Sequence, residues 1–185
     1  MAELRFPTPL PADTTVRLRP WRDADVPAVL AAFRDPVLLR FWAGPLPDSE
    51  TALRRHLAEL EWARRRGERI DWAFADPADN RVVLGGGSLF DVNPQQGRAA
   101  VGYWLAPAAR GRGVATHAVR LIARWAFAEA GVARLELTCG PDNRASQRVA
   151  ERCGFTREAL LRSHLPFRGG RRDTVVYGLL PGELR

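Results

Sequence analysis

The loop at residues 110–113 alternates arginine and glycine between an apolar, aromatic-rich segment at 101–105 and a helical pattern that begins at Val114. The first turn of a helix presents N–H groups without carbonyl partners, and the peptide dipoles place partial positive charge there. Glycines allow such a backbone to touch a phosphate, and Arg110 and Arg112 add charge-assisted donors. The spacing therefore predicts a phosphate-binding site around this loop.

Two common nucleotide motifs do not fit the loop. A phosphate-binding loop of the nucleoside-triphosphatase type needs Gly-x-x-x-x-Gly-Lys-Ser/Thr, and a dinucleotide fold needs Gly-x-Gly-x-x-Gly. The chain contains neither spacing. The simpler alternative is a glycine-containing turn with solvated arginines.

A second polar stretch follows one helix and one strand later. Residues 134–139 alternate like a strand, and the sequence Pro-Asp-Asn-Arg-Ala-Ser at 141–146 leads into a short helix. This helix is expected to end at Cys153, because Gly154 is placed as a helix terminator.

Together these residues resemble the GNAT superfamily of N-acetyltransferases. Arg110-x-x-Gly113-x-Ala115 is similar to the family signature Arg/Gln-x-x-Gly-x-Gly/Ala, whose loop holds the pyrophosphate of acetyl-coenzyme A. Asn143-x-x-Ser146, followed eight residues later by Gly-Phe, resembles the second half of the pattern. The opening at 16–25 is similar to the RimJ/RimL-like branch of ribosomal-protein N-terminal acetyltransferases, so the resemblance covers roughly residues 15–180.

The resemblance implies an acetyl-coenzyme A-dependent enzyme that acetylates a primary amine, such as an α-amino group or a small-molecule amine, by direct attack in a ternary complex. It implies that the backbone edge at 103–105 pairs with pantetheine, with the N–H of Trp104 or Leu105 facing the thioester oxygen. Asn143 is expected to bond pantetheine, to cap its helix, or both, and Ser146 to protonate the departing thiolate. The residues expected to hold coenzyme A are Tyr103, Trp104, Leu105, Arg110, Gly111, Arg112, Gly113, Val114, Ala115, Thr116, Asn143 and Ser146.

One position departs from the family pattern. RimJ/RimL-like relatives usually read Ala-Glu-Ile-Gly-Tyr-Trp on the strand before the loop, and that glutamate is the usual general base. Here Ala100 stands in its place, and alanine cannot accept a proton. The candidates to replace it are Asp91, His164, or an ordered water acting for one of them.

The composition fits a single domain at 1–185 whose first thirteen residues form an extended arm. With 185 residues, 46% of them hydrophobic, the chain can build one sizeable core. Its net charge of +7 is carried by arginine in the absence of lysine, which suits coenzyme A or nucleic acid. A coding bias toward arginine would produce the same charge.

Two cysteines, Cys139 and Cys153, are too few for a disulfide framework, and we expect both to be buried. The sequence shows no cluster typical of a metal site, so no metal is expected. It also shows no signal segment and no apolar run long enough to span a membrane. These features predict a cytoplasmic protein without a membrane partner, and a homodimer is an open possibility.

The first half of the chain reads as an arm, helices and a strand meander. Three prolines predict a loosely held arm at 1–13, and residues 15–19 alternate as an edge strand. Asp23 is expected to cap a helix whose core face is made by Val26, Val29, Leu30 and Phe33. After a turn at 44–47, Asp48 or Ser49 caps a longer helix to about residue 66 with a solvated arginine face.

Aromatic residues of these early helices allow two interpretations. Phe41, Trp42 and Trp62 either line a substrate pocket, as the resemblance implies, or simply pack in the core.

Three further strands are predicted at 70–74, 82–90 and 98–105, followed by helix, strand, helix and strands. The glycines at 85–87 indicate a bulge or the close approach of another backbone, and 168–172 reads as a hairpin turn before a last strand at 173–180. This order predicts a mixed α/β fold with a single central, mostly antiparallel sheet of about seven strands and helices on both faces.

The sequence therefore allows three hypotheses for the function. The leading hypothesis is the N-acetyltransferase, and the missing glutamate makes a catalytically weak acyl-coenzyme A-binding regulator or sensor the second. A nucleic-acid binder is disfavoured, because the arginines are scattered without interleaved aromatics.

Overall fold

The computed structural model describes residues 3–44 and 47–185, and within them it forms one seven-stranded sheet with five α-helices. The predicted turn at 44–47 falls partly on Pro45 and Leu46, and the start of the predicted arm falls on Met1 and Ala2, outside the described residues. In chain order the elements are β1 (Arg17–Arg19), α1 (Val26–Ala32), α2 (Pro36–Phe41), α3 (Glu50–Arg65), β2 (Ile70–Ala75), β3 (Val83–Asn93), β4 (Arg98–Leu105), α4 (Val114–Ala128), β5 (Arg134–Cys139), α5 (Arg144–Cys153), β6 (Thr156–Phe167) and β7 (Gly170–Leu179).

The sheet order is β1-β2-β3-β4-β5-β7-β6, which confirms the predicted mixed α/β class. All neighbouring strands are antiparallel except β4 and β5, which run parallel. These two strands pair only where Arg98 to Ala100 face Arg134 to Glu136. Since β4 continues to Leu105 and β5 to Cys139, the strands separate and a gap opens in the middle of the sheet.

Helices cover both faces of the sheet, as predicted. The face under α4 and α5 forms the main core, in which the Trp72 and Trp125 rings meet edge to face at 5.2 Å. On the other face, Val26 and Val29 of α1 and Leu53 of α3 form a second cluster with Trp104. Successive residues of a strand point to opposite faces, which is why Tyr103 belongs to the first cluster and Trp104 to the second.

The glycines of β3 accommodate this second cluster. The indole of Trp21 stacks on Trp104 with centroids 6.1 Å apart, directly over Gly86. A Cβ on Gly86 would lie 2.5 Å from Cζ2 of Trp21, which is a side chain. The predicted close approach of a backbone is found at Gly85, where a Cβ would clash with the Trp104 carbonyl oxygen. The β2–β3 register also shifts beside Phe74, which supplies the predicted irregularity.

The predicted cap at Asp23 is wrong. The chain enters α1 through a 3₁₀ turn at Asp23–Asp25, and the Asp23 side chain is 87% exposed. Asp25 instead accepts the N–H of Arg22 at 2.8 Å and forms a buried bidentate pair with Arg19, at 2.6 and 2.8 Å. The strand that holds Arg19 lies at the edge of the sheet, as predicted, but the Arg19 side chain is buried.

Two further expectations for this half need correction. The described part of the arm is extended but not loose, because the Leu4 N–H donates to the Arg64 carbonyl and Phe6 packs on Trp72. Trp62 is 67% exposed, so it does not pack in the core. At the start of α3, Ser49 is the cap, and its Oγ accepts the Ala52 N–H at 3.2 Å.

Candidate active site

The arginine–glycine loop at 110–113 leads directly into α4, whose first N–H groups are free. Gly111 and Gly113 both adopt left-handed backbone, with φ of 74° and 80°, and Gly113 is the N-cap. The first intrahelical bond runs from the His117 N–H to the Gly113 carbonyl at 3.1 Å. The N–H groups of the three residues between them therefore lack helical acceptors, and no described side chain caps them. Val114, Ala115 and Thr116 have buried side chains, so only their backbone can reach a ligand.

The space around the loop fits an anion. A Cβ on Gly111 would meet no atom within 4 Å, and one on Gly113 would come no closer than 3.5 Å to Cδ2 of His117. Arg112 is exposed and bonds to none of the described residues. The loop thus combines bare N–H groups, open space and one unpaired guanidinium.

Arg110 has a different role from the one expected. Its Nη2 donates to Oδ1 of Asp35 at 2.5 Å and to the Leu105 carbonyl at 3.2 Å. The hydrogen bond from Arg110 is the main reason why the pKa of Asp35 is lowered, and Asp35 also caps α2 by accepting the Leu38 N–H at 2.9 Å. Arg110 therefore ties the loop to α2, and the expected charge-assisted grip on a phosphate rests on Arg112 alone.

The edge of β4 that faces the gap can be read from its hydrogen bonds. The Ala106 N–H donates to the Leu84 carbonyl of the preceding segment at 2.9 Å. Because backbone groups alternate sides along a strand, Trp104 also turns its N–H and carbonyl toward β3, whereas Tyr103 and Leu105 turn theirs toward the gap. Trp104 and Leu105 were the two predicted donors to the thioester oxygen. Leu105 offers its amide to a ligand in the gap, and Trp104 does not.

Ser146 stands across the gap from this edge, in the first turn of α5. The Tyr103 hydroxyl donates to Oγ of Ser146 at 3.2 Å, and burial raises the pKa of this phenol, which keeps it protonated. Burial likewise raises the pKa of the neighbouring Cys139 thiol, although its hydrogen bond with Ser146 opposes that rise. Asn143 caps α5 through Oδ1, which accepts the Ser146 N–H at 3.1 Å, so its Nδ2 is left for a ligand.

The structure does not bring Asp91 or His164, the two predicted replacements for the glutamate, together with Ser146. Asp91 is exposed and follows Phe90, the partner of Ala100, so it lies about 20 Å along the sheet from Leu105. His164 is exposed in the irregular part of β6, and no described residue hydrogen-bonds its imidazole. Neither is held where an amine would meet a thioester in the gap.

A carboxylate that the sequence patterns did not single out lies beside Ala100. Glu136 is its direct partner on β5, and paired residues on parallel strands share a face of the sheet. The Glu136 carboxylate accepts Nε of Arg134 at 3.1 Å and lies 3.5 Å from Nη1 of Arg98. No sequence signal identifies it, because the pairing of β4 with β5 skips a whole helix.

The end of the gap is bridged by α2 and the β6–β7 hairpin, whose turn lies where it was predicted. Arg168 donates to the Leu39 carbonyl at 2.6 Å, and Arg172 to the Phe41 carbonyl at 3.4 Å. Any molecule that approaches Ser146 from this side passes these arginines.

Across residues 3–44 and 47–185, no group of three or more His, Cys, Asp or Glu residues could hold a metal ion. No helix in this part of the chain is long and apolar enough to cross a membrane. Both cysteines are free and buried, as expected.

Comparison with known sequences identifies relatives along most of the chain. The family model described as "Acetyltransferase (GNAT) domain" matches residues 15–156. The Bacillus subtilis (strain 168) protein named "Probable N-acetyltransferase YjcK" is 31% identical over 128 residues, which cover 69% of this chain and 70% of that protein.

Two solved structures share the fold. RimL, a ribosomal L7/L12 alpha-N-protein acetyltransferase in complex with coenzyme A, aligns with a TM-score of 0.83 at 23% identity, over 92% of this chain and 97% of that one. Mycobacterium smegmatis RimJ in complex with CoA-disulfide aligns with a TM-score of 0.81 at 26% identity, over 91% and 83%.

Proposed function

Because the chain belongs to the GNAT acetyltransferase family and is an acetyl-coenzyme A-dependent N-acetyltransferase, we propose that it acetylates the α-amino group of a peptide by direct attack in a ternary complex. The observation that carries this proposal is the gap between β4 and β5, where the β4 edge beyond Ala100 is unpaired and the Tyr103 hydroxyl bonds Ser146 of α5. A small primary amine is the other acceptor that such a gap would admit.

The residues around the gap fit coenzyme A. The N–H groups at the start of α4 and the Arg112 guanidinium suit its pyrophosphate, since both favour an anion. The backbone groups of Tyr103 and the Asn143 amide suit the two amides of pantetheine. The bound thioester supplies the activated acetyl group.

Two groups are placed for the chemistry. The Leu105 N–H points into the gap, where it can stabilise the oxyanion that develops at the acetyl carbon. Ser146 accepts a hydrogen bond from Tyr103, so its own proton is free to be donated to the departing sulfur.

In this proposal the acceptor binds as the neutral amine, having lost its ammonium proton to solvent. The proton that its nitrogen loses as the amide forms replaces the one that Ser146 gives to the sulfur. Ala100 offers no proton acceptor, and Glu136 beside it is occupied by two arginines. An α-amino group has a pKa of about 8 and therefore a usable neutral fraction near pH 7, whereas a lysine amine, at about 10.4, has almost none. This difference favours an α-amino acceptor.

The decisive experiment combines a loop variant with a control for backbone strain. Gly113→Val fills the open space beside the α4 N-terminus, and Gly131→Val imposes the same left-handed strain, at φ of 68°, in the turn after α4. Calorimetric titration with coenzyme A should show that affinity collapses in Gly113→Val and persists in Gly131→Val, while mass spectrometry follows acetylation of a peptide amino terminus. Equal affinity in folded forms of both variants would reject the loop assignment.

The coenzyme A-binding sensor is not favoured, because the Bacillus subtilis relative is named a probable N-acetyltransferase and the RimL structure is described as an acetyltransferase. Release of free coenzyme A in the presence of peptides separates the two functions, since a sensor would release none.

A further inference from the structure

The tip of the β6–β7 hairpin carries arginines whose charge is not neutralised. Arg168 and Arg172 donate to main-chain carbonyls of α2, and Arg171 donates to the carbonyls of Ser163 and His164, at 2.6 and 2.9 Å. The Phe167 ring lies 4.2 Å from the Arg172 guanidinium. Among residues 3–44 and 47–185, no carboxylate lies within ion-pair distance of any of the three arginines.

The carboxylates nearest to this tip are already engaged. Asp142 pairs with Arg40 at 3.2 Å, and Asp173 accepts the Ser163 N–H at 2.7 Å. Carbonyl dipoles and an aromatic face orient a guanidinium without cancelling its charge. The three arginines therefore present a fixed positive surface, which we call the arginine tip.

Arg172 is the residue through which the arginine tip reaches the gap between β4 and β5. A Cβ on Gly140, the residue after β5, would lie 3.4 Å from Cδ and 3.6 Å from Nε of Arg172. The Arg172 Nε is buried and has no hydrogen-bond partner among the described residues. Cys139, which hydrogen-bonds Ser146, directly precedes Gly140, so the arginine tip borders the place where the acceptor amine must lie.

We propose that the arginine tip selects peptide acceptors with acidic side chains just after the amino terminus. This inference rests on the α-amino function proposed above and adds its specificity. The first residue of such a peptide enters the gap, and the carboxylates that follow lie against Arg168, Arg171 and Arg172. Each of these arginines then gains a carboxylate partner that no described residue of the protein supplies.

The test uses peptides that share a first residue, alanine, and differ at the second to fourth positions. The first series carries aspartate and glutamate at these positions. The second is its isosteric control and carries asparagine and glutamine, and the third carries lysine. We expect the acidic series to have the highest kcat/KM, and its advantage over the amide series to shrink at about 0.5 M salt because exposed charges are screened.

Variants assign the effect to the tip. Arg171→Gln and Arg172→Gln should each lower kcat/KM for the acidic peptide about three- to fivefold and leave that for the amide peptide unchanged. Arg172→Lys, which keeps the charge, should retain most of the preference. Arg124→Gln, an exposed arginine of α4 on the opposite face, is the matched control and should change nothing.

The possible outcomes distinguish a failure of the acidic preference from a failure of the proposed α-amino acetylation. Acetylation of all three series with equal kcat/KM would overturn the acidic preference alone, whereas acetylation of none would overturn the α-amino proposal and this inference with it. A free acidic amino acid that is acetylated as well as the acidic peptide would overturn the peptide class. Inhibition by single-stranded RNA that disappears in Arg172→Gln would assign the tip to nucleic acid instead.

Discussion

Ser146 accepts a hydrogen bond from Tyr103, so its own hydroxyl proton is not used in that bond. If this proton goes to the departing sulfur, Ser146→Ala should lower kcat about 10²-fold with little change in KM for acetyl-coenzyme A. Tyr103→Phe should lower kcat less, because it removes only the group that orients Ser146. Steady-state kinetics of both variants provide the measurement, and a Ser146→Ala enzyme within a few fold of wild type would assign the serine to packing alone.

The absence of a base at Ala100 predicts how the rate depends on pH. Because the reaction requires a neutral amine, kcat/KM should rise with pH as each acceptor amine loses its proton. Two amines whose pKa values differ by about two units should therefore give pH profiles with different inflection points. Ala100→Glu should flatten this dependence and raise the rate near neutrality. Glu136→Gln serves as the control and should leave the profile in place. One shared inflection for both amines in the wild type would instead identify a protein base, and Glu136 would be the residue to study first.

At this scale the sequence predicts residues whose partners are close along the chain. Gly113 and Asn143 follow from local rules for helix ends, and Ser146 from the family pattern. The role of Arg110 could not be predicted, because its partner Asp35 is 75 residues away. Glu136 was missed for the same reason, since only the β4–β5 register brings it to Ala100.

Among the elements, the entry to α1 depends on the buried pair of Arg19 and Asp25, which are 1% and 3% exposed. Asp25→Ala leaves a buried guanidinium without its partner and should lower the free energy of unfolding by about 3–5 kcal/mol. Asp23→Ala, which removes only an exposed ion pair with Arg54, should cost about 1 kcal/mol or less. Urea unfolding of both variants measures the difference, and similar losses would contradict the assigned role of Asp25.

The elements themselves were predicted where glycine, proline and capping residues mark their ends. Gly154, with φ of 97°, ends α5 as expected, and Ser49 begins α3. The prediction failed at α1 because a 3₁₀ turn precedes the helix and a carboxylate that could have been a cap is needed in the core. Local patterns do not report burial of a charged pair.

For the molecule as a whole, the arm is fastened near the loop by Asp13, whose Oδ2 lies 2.7 Å from Nδ1 of His117 in α4. Burial acts to raise the pKa of Asp13, but the bonds from His117 and from the N–H groups of Thr15 and Val16 outweigh it and lower the pKa. A carboxyl with a lowered pKa stabilises the fold above its unfolded value of about 3.9, and this contribution is lost as pH falls through the folded value.

The stability lost in Asp13→Asn should therefore shrink as pH falls from about 5 to about 3. Urea unfolding across this range measures it, and a double-mutant cycle with His117→Ala isolates the coupling of the pair. A difference between wild type and Asp13→Asn that stays unchanged down to about pH 3 would contradict this role.

The gap that forms the site also divides the sheet into two blocks. Strands β1 to β4 on one side and β5 to β7 on the other meet through only three residues of each facing strand, and α4 lies across the junction. A junction with so few backbone hydrogen bonds opens locally at a lower free energy than the fully paired strands on either side of it. A ligand that spans Leu105, the loop and α5 closes it, so coenzyme A should slow amide hydrogen exchange in both blocks at once, in strands that it never touches.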